Sequence, residues 1–247
     1  YVVGEDEGAS STVNAVSFDR QTGKLVLMNT QLAQGGAPCY VTLSPEEDFV
    51  LTANYMRGNI SVFSLEENGR LKAGDTINFT GSGPDKERQS QPHLHCVQFT
   101  PDGRFLLAND LGTDRIHVFP VKEGGKSELL EKENAFDICL PSGCGPRHLC
   151  FAPNGKHAYL LTELSGEVIG LSYDEAGFDT IQHIKADTLD ARGSADIHLS
   201  PDGKFLYASN RLKGDGIAIF EVSSEDGTLD KVGYQPTGIH PRNFNIT

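Results

Sequence analysis

Apolar and polar residues alternate along four stretches of the chain that share one pattern. Each stretch has an alternating run, a turn of the Pro-Asp-Gly type and a second run of similar length, and the copies cover residues 38–55, 94–111, 146–163 and 194–211. Alternation with a period of two is typical of a β-strand with one buried face. Proline presets φ at the first central turn position, and glycine permits a left-handed exit. Each copy therefore predicts a β-hairpin.

Two further strands are predicted after each hairpin. The third strands cover residues 60–65, 116–121, 168–173 and 217–222, and they alternate as the first two do. A weaker fourth strand follows, as at residues 71–79 and 229–235. No stretch keeps the i, i+3, i+4, i+7 apolar spacing of an amphipathic helix over three turns.

The repeat unit is fixed by one proline in each copy, namely Pro45, Pro101, Pro153 and Pro201, which are 56, 52 and 48 residues apart. Four antiparallel strands in a repeat of about 50 residues are typical of a β-propeller. Solenoid repeats are usually shorter and often contain helix, and a β-sandwich does not explain matching turns in every unit. The sequence therefore predicts an all-β fold, a β-propeller of four-stranded antiparallel blades.

About five blades are represented, in a single propeller domain over residues 1–247. The predicted blades are residues 1–36 (partial), 37–91, 92–144, 145–191, 192–239 and 240–247 (partial). The chain starts abruptly with Tyr1-Val2-Val3 and stops in what resembles the middle of a strand. We therefore expect it to be a piece of a longer protein that lacks blades at both ends.

Composition and charge narrow the classes of partner. The chain has 247 residues, enough for a full core, and its 27 glycines agree with many tight turns. The formal net charge is −13, which disfavours nucleic acid and anionic membranes as main partners. No apolar run approaches the roughly 18 residues of a membrane helix. The five cysteines are spaced irregularly, so we expect buried free thiols, with a Cys139–Cys144 bridge as the alternative.

Residues with candidate chemistry occupy variable positions at the start of the first strand and at the end of the second strand of each hairpin. Six residues before the anchor proline stand Cys39, His95, Arg147 and Ala195, with Arg242 in the truncated copy. Five residues before it stand Tyr40, Cys96, His148, Asp196 and Asn243. Ten residues after it stand Tyr55, Leu111, Glu163 and Arg211. Since these positions share one end of an antiparallel hairpin, we expect the ionisable ones to converge on one mouth of the propeller, where closed β architectures bind ligands.

The motifs PHLHCVQFTPDGRFLLANDLGTD, GPRHLCFAPNGKHAYLLTELSGEV, SADIHLSPDGKFLYASNR and HPRNF give the chain a family resemblance along essentially its whole length. It resembles the seven-bladed β-propeller lactonases, which include bacterial 6-phosphogluconolactonase of the propeller type and fungal carboxymuconate cyclase. The resemblance implies seven blades in the full-length protein, no metal and no cofactor. It implies catalytic roles for His95, Arg147, Glu163 and Arg211, and Arg242 matches a further family arginine.

The activity that this resemblance implies is hydrolysis of a sugar lactone, foremost 6-phospho-D-glucono-1,5-lactone, in the pentose phosphate pathway of the cytoplasm. Arginine suits both an anion anchor and an oxyanion stabiliser. Either His95 or Glu163 is the base that takes the proton of water. The further substrate-binding candidates are His93, His148, Asp196 and Arg242.

Each candidate also has a structural interpretation. Arg147 and Glu163 are alternatively an ion pair across one hairpin, and His95 a channel histidine without catalytic function. His148 and Asp196 are expected to hold strand ends or neighbouring arginines rather than to act on substrate. A metal pair of His93 and His95 on one strand face lacks a third ligand at a telling spacing.

Two further functions compete with lactone hydrolysis. The same arginines suit a lactonising cyclase that acts on a carboxylated diene, and propellers also serve as non-catalytic binding modules. Outside the candidate site, Asp110 and Asp114 are predicted to be turn residues. Structural or surface positions are predicted for His117, His157, His183 and His198.

Overall fold

The computed structural model describes residues 1–125 and 128–246, and strands dominate it. The described residues contain a single helical element, a 3₁₀ turn at Lys132–Asn134. The chain divides into two compact units, Tyr1–Asp137 and Ile138–Thr247. The single propeller domain over residues 1–247 stays a prediction.

The first unit consists of three antiparallel sheets. The three-stranded sheet is formed by β1 (Val2–Gly4), β2 (Thr12–Asp19) and β3 (Lys24–Leu32), in that order. The next sheet is formed by β4 (Pro38–Leu43), β5 (Phe49–Asn54), β6 (Asn59–Leu65) and β7 (Leu71–Asn78). The third is formed by β8 (Leu94–Phe99), β9 (Phe105–Asp110), β10 (Arg115–Pro120) and β11 (Phe136–Cys139), and the unit ends within β11.

The second unit consists of two four-stranded antiparallel sheets whose strands follow chain order. One is formed by β12 (Pro146–Phe151), β13 (His157–Thr162), β14 (Glu167–Asp174) and β15 (Gly177–Lys185). The other is formed by β16 (Ser194–Leu199), β17 (Phe205–Asn210), β18 (Gly216–Val222) and β19 (Leu229–Pro236). The predicted four-stranded repeat is therefore confirmed.

The cores lie between neighbouring sheets within each unit. In the first unit Leu51 and Ile60 pack against Leu94 and Leu106 of the following sheet. In the second unit a core of the same kind includes the fully buried Tyr159. Because each strand alternates, the two faces of a sheet supply side chains to the cores on either side of it.

The turn between the first and second strands of each four-stranded sheet contains the predicted residue with a left-handed backbone conformation. Gly103 has φ of +73° and Gly203 has φ of +71°. In the first copy, where the sequence is Pro-Glu-Glu, Glu47 takes the same position with φ of +57°. The turn geometry is thus kept even where glycine is missing, since the hairpin on both sides determines it.

A β-bulge lies at the start of the first strand of every four-stranded sheet. The ladder with the second strand shifts register between Pro38 and Tyr40, Leu94 and Cys96, Pro146 and Leu149, and Ser194 and Ile197. The irregular residues are therefore Cys39, His95, Arg147 with His148, and Ala195 with Asp196. A bulge redirects side chains and is frequent beside active sites. Here the bulges fall at the variable positions named above, six residues before the anchor proline and in two copies also five residues before it.

Gly112 is predicted to be indispensable for the turn that holds the segment before β8. A Cβ at this residue would lie 1.9 Å from the carbonyl oxygen of Gln91 and 2.9 Å from the amide nitrogen of His93. We expect Gly112→Ala to lower the free energy of unfolding by about 2 kcal/mol or more, because backbone atoms must move. Urea denaturation measures this. Gly238→Ala is the control, since no atom lies within 4 Å of its Cβ, and equal losses in the two variants would contradict the prediction.

Candidate active site

Three ionisable side chains of the second unit form a buried cluster. Arg147 Nε donates to Glu163 Oε2 at 2.9 Å, and Arg211 Nη2 lies 3.5 Å from Glu163 Oε1. The three residues are 1%, 5% and 8% exposed, in the order Arg147, Glu163, Arg211. Pro146 pairs with Thr162 in the antiparallel β12–β13 ladder, so Arg147 and Glu163 each lie one residue from this rung, on opposite sides of it, and Arg147 falls at the register shift.

Backbone carbonyls hold the two guanidinium groups in place. Arg147 Nη1 donates to the carbonyl oxygen of Ala195, and Arg211 Nε donates to that of Gly193 at 2.8 Å. Both acceptors lie at or just before the start of β16. Two cations are thus fixed beside one carboxylate, an arrangement suited to binding an anion or stabilising an oxyanion.

A second group of polar side chains lies directly beside the arginines. His148 Nδ1 is 2.8 Å from Asp196 Oδ1, while His148 Nε2 is 3.3 Å from Arg147 Nη1. Asp196 Oδ2 also contacts His198 Nε2 at 2.9 Å and accepts a hydrogen bond from Asn243 Nδ2 at 2.6 Å. The prediction that His148 and Asp196 hold strand ends and a neighbouring arginine agrees with these contacts.

Burial and charge shift the pKa values of this group. Burial, followed by the charge of Arg147, lowers the pKa of His148 from 6.5 to about 4. Burial by itself would raise the pKa of Asp196, but the hydrogen bonds from His148 and His198 outweigh it and the pKa falls below 3.8. The hydrogen bond to Asp196 raises the pKa of His198. Near neutral pH, His148 is therefore neutral and Asp196 is charged.

The depressed pKa of His148 predicts a loss of stability in acid. Between pH 6.5 and about 4 the unfolded chain takes up a proton that folded His148 does not. The free energy of unfolding therefore falls as pH falls, by on the order of 3 kcal/mol over this window. We expect His148→Gln to flatten this slope in urea denaturation at a series of pH values. His183→Gln, at an exposed position, is the control, and an unchanged slope in His148→Gln would contradict the assignment.

The remaining arginine candidate, Arg242, is exposed. Its amide nitrogen donates to the carbonyl oxygen of His240 at 2.7 Å. The side chain of the next residue, Asn243, donates a hydrogen bond to Asp196, so Arg242 lies one residue from a direct contact with that carboxylate. The structure thus places Arg242 one residue from this group, while the arginine cluster itself consists of Arg147, Glu163 and Arg211.

In the first unit, His93 and His95 gather around one aromatic ring. Tyr55 stacks on His93 with 4.3 Å between ring centroids and meets His95 edge-on at 5.6 Å. His93 Nδ1 is also 2.8 Å from the carbonyl oxygen of Tyr55, and Arg88 Nη2 donates to the Tyr55 hydroxyl at 3.4 Å. Both histidines are buried.

Sequence reasoning selected the two histidines but missed Tyr55 and Arg88. Tyr55 had a signal, because it stands in the same repeat position as Glu163 and Arg211. Arg88 had none, since it lies in a connecting segment outside the repeat pattern. His93 lies just before β8, which begins at Leu94, and His95 lies at the bulge, so the two histidines reach Tyr55 without being regular members of one strand face. Their convergence with the other candidates on one mouth stays a prediction.

The match to a family model decides what kind of protein carries these residues. The model described as "Lactonase, 7-bladed beta-propeller" matches residues 1–247. The chain belongs to the seven-bladed β-propeller lactonase family. The β-propeller fold class predicted from the repeat is thereby confirmed.

Curated and solved members of the lactonase family are similar to the chain. The 6-phosphogluconolactonase of Bacillus subtilis is 40% identical over 240 residues, which cover 94% of this chain and 66% of the relative. A crystal structure of a putative 6-phosphogluconolactonase from Bacteroides fragilis is 53% identical, with a TM-score of 0.94 over 99% of this chain and 70% of that one. The periplasmic gluconolactonase of Pseudomonas aeruginosa is 28% identical, with a TM-score of 0.90 over 98% of this chain and 70% of that one. The chain thus spans about two thirds of the length of the curated relative.

Other polar residues of this lactonase chain have structural roles. Asp110 Oδ1 accepts from the amide nitrogens of His93 and Gly112, at 2.7 and 2.9 Å, which confirms its predicted role in a turn. Asp114, with φ of +56°, accepts from Gln89 Nε2 at 2.7 Å. His117 stacks on Phe79 at 4.1 Å between ring centroids.

No disulfide bond joins the five cysteines, all of which lie in the described residues. A bridge between Cys139 and Cys144 is absent from the described residues, since Cys139 is exposed on β11 and Cys144 is buried. The expectation of buried thiols holds for Cys96 and Cys144 and is wrong for Cys139, while Cys39 and Cys150 are half-buried. Within residues 1–125 and 128–246, no three His, Cys, Asp or Glu side chains are grouped to hold a metal ion. The same residues contain no helix long and apolar enough to cross a membrane.

Proposed function

We propose that this protein hydrolyses a sugar lactone, with 6-phospho-D-glucono-1,5-lactone as substrate. The observation that carries the proposal is the buried cluster of Arg147, Glu163 and Arg211, in which two guanidinium groups face one carboxylate. Family membership and the names of the similar proteins support the same reaction.

The chemistry needs a base and a stabiliser of negative charge. The oxygen of water bonds to the lactone carbonyl carbon, the bond from that carbon to the ring oxygen breaks, and the proton of water passes through a base to the ring oxygen. Negative charge develops on the carbonyl oxygen in between. A guanidinium held by backbone carbonyls is preorganised to stabilise this charge. The second guanidinium suits the phosphate or the carboxylate of the product.

The two candidate bases differ in their surroundings. Each carboxylate oxygen of Glu163 lies beside an arginine, Oε2 beside Arg147 and Oε1 beside Arg211. This arrangement supports Glu163 as the residue that orients both guanidinium groups. His95, buried at the bulge of β8 against Tyr55, is then the proposed general base.

We also propose that the protein works in the cytoplasm. No disulfide joins its cysteines in the described residues, which agrees with a reducing compartment. The similar protein from Pseudomonas aeruginosa is named a periplasmic gluconolactonase, which makes the periplasm the competing location. Detection of the tagged full-length protein in the cytosolic fraction is the expected result, and recovery with periplasmic markers would contradict it.

The proposed activity is tested on the full-length protein with two lactones. We expect hydrolysis of 6-phosphogluconolactone well above the spontaneous rate, with a higher kcat/KM than for gluconolactone because the cluster is cationic. A chelator should leave the rate unchanged. Failure to cleave either lactone above the spontaneous rate would overturn the proposal and favour a cyclase or a binding module. Loss of activity with chelator would instead indicate a metal-dependent reaction.

A further inference from the structure

Asp196 is a carboxylate of the candidate site that accepts hydrogen bonds on both oxygens. Its Oδ2 faces His198 Nε2 at 2.9 Å, Asn243 Nδ2 at 2.6 Å and the amide nitrogen of Phe244 at 3.2 Å. Its Oδ1 faces the amide nitrogen of Ile197 at 3.1 Å and His148 Nδ1 at 2.8 Å. The residue is only 3% exposed. Donors on both oxygens leave this carboxylate a single orientation.

The contacts of Asp196 follow the repeat. His148, Asp196 and Asn243 occupy the same position, five residues before the anchor proline, in three successive copies. Their side chains are hydrogen-bonded in series, from His148 to Asp196 to Asn243. One residue before them stand Arg147, Ala195 and Arg242. Each member of the series is therefore the next residue in the chain after the position that carries an arginine in two of these copies.

We infer that Asp196 is a positioning residue for Arg147 and acts through His148, an inference that rests on the proposed lactonase function. A carboxylate only accepts hydrogen bonds, so the proton of neutral His148 is on Nδ1 and points at Asp196. His148 Nε2 then carries a lone pair, and it lies 3.3 Å from Arg147 Nη1. Asp196 thus selects the tautomer in which His148 accepts a hydrogen bond from Arg147.

This acceptor adds a contact to those that fix the guanidinium plane of Arg147. Arg147 Nε is held by Glu163, and Nη1 is shared between the carbonyl oxygen of Ala195 and His148 Nε2. Burial lowers the pKa of His148, which keeps its ring neutral and able to accept near neutral pH. In the other tautomer, an N–H of His148 would face an N–H of Arg147, and the guanidinium would have to turn.

Asp196→Asn tests the inference because it keeps the shape and removes the charge. The amide presents an N–H group on one side, so the side chain at position 196 no longer requires the His148 proton to be on Nδ1. We expect kcat of the full-length protein for 6-phosphogluconolactone to fall about 10²-fold, as expected for a misplaced catalytic group, with a smaller change in KM. The ¹⁵N signals of the His148 ring should change from the Nδ1–H to the Nε2–H pattern.

His198→Gln is the matched control. It removes a contact of 2.9 Å from the same carboxylate, but on Oδ2, the oxygen that does not face His148. We expect kcat within about twofold of the unmodified protein and an unchanged His148 tautomer. The double variant Asp196→Asn with His148→Gln should be no slower than the slower of its two single variants, because both remove the same hydrogen bond to Arg147.

The two readouts separate this inference from the proposed function. If the unmodified protein cleaves lactone but Asp196→Asn keeps both its kcat and the Nδ1–H tautomer, the positioning role is wrong. Equal losses of kcat in Asp196→Asn and His198→Gln would likewise overturn it in favour of a purely structural carboxylate. If the tautomer changes as expected while the unmodified protein cleaves no lactone, the contact is established and the proposed function fails.

Discussion

Replacing Arg147 with Met and Glu163 with Gln in one chain should lower lactone turnover about 10³-fold and leave the free energy of unfolding within about 1 kcal/mol of the original. The turnover is lost because a preorganised guanidinium disappears from the cluster. The stability is kept because no buried charge of this pair remains without a partner. The amide introduced at position 163 still presents an acceptor to Arg211, whose Nη2 lies 3.5 Å from the present carboxylate.

The single variants are expected to behave differently from the double variant. Glu163→Gln alone removes the carboxylate that faces both Arg147, which is 1% exposed, and Arg211. Breaking a buried pair in this way costs about 3 to 5 kcal/mol. Urea denaturation and initial-rate kinetics on all three variants give the comparison. Retained turnover in the stable double variant would assign Arg147 and Glu163 to a structural ion pair across the hairpin.

Replacing His95 with Asn should lower kcat by about 10² to 10⁴, the usual contribution of a general base. The reason is that water would lose the group proposed to take its proton, whereas binding of the lactone does not require a base. KM should therefore change little. The ring of His95 is buried and touches Tyr55 edge-on, so the substitution changes packing as well as chemistry.

The control for this experiment is His183→Asn, at an exposed position on β15. It should match the unmodified protein in both kcat and pH profile. If His95→Asn keeps kcat within about twofold of the unmodified protein, His95 is a channel histidine that supports the fold. Glu163 would then be the remaining candidate for the base.

The strands and their turns were predictable because local sequence determines them. The alternation in residues 94–111 predicted β8 and β9, and the turn glycine Gly103 takes the expected positive φ. The cluster of Arg147, Glu163 and Arg211 was also within reach. Counting from the anchor proline places two of these residues on one hairpin and the third at the matching point of the next copy.

Contacts that join distant parts of the chain had no comparable signal. Asp196 and Asn243 are 47 residues apart, and only their shared repeat position connects them in the sequence. Arg88 reaches Tyr55 from a connecting segment whose path the pattern does not define. The bulges were also hidden, because an extra residue at a strand start leaves the downstream alternation intact. For that reason the alternation gave no sign that His93 lies outside β8 and that His95 lies at its bulge.

Those bulges separate the residues that fold a blade from the residues that give it chemistry. Each extra residue lies before the regular pairing of the first two strands begins. Residues 39, 95, 147 and 195 can therefore differ as much as Cys, His, Arg and Ala while the strand pairing stays the same. A propeller built this way can evolve a new reaction by exchanging one side chain per blade. For protein engineering, the bulge residues are the positions at which a new activity can be introduced with the smallest loss of stability.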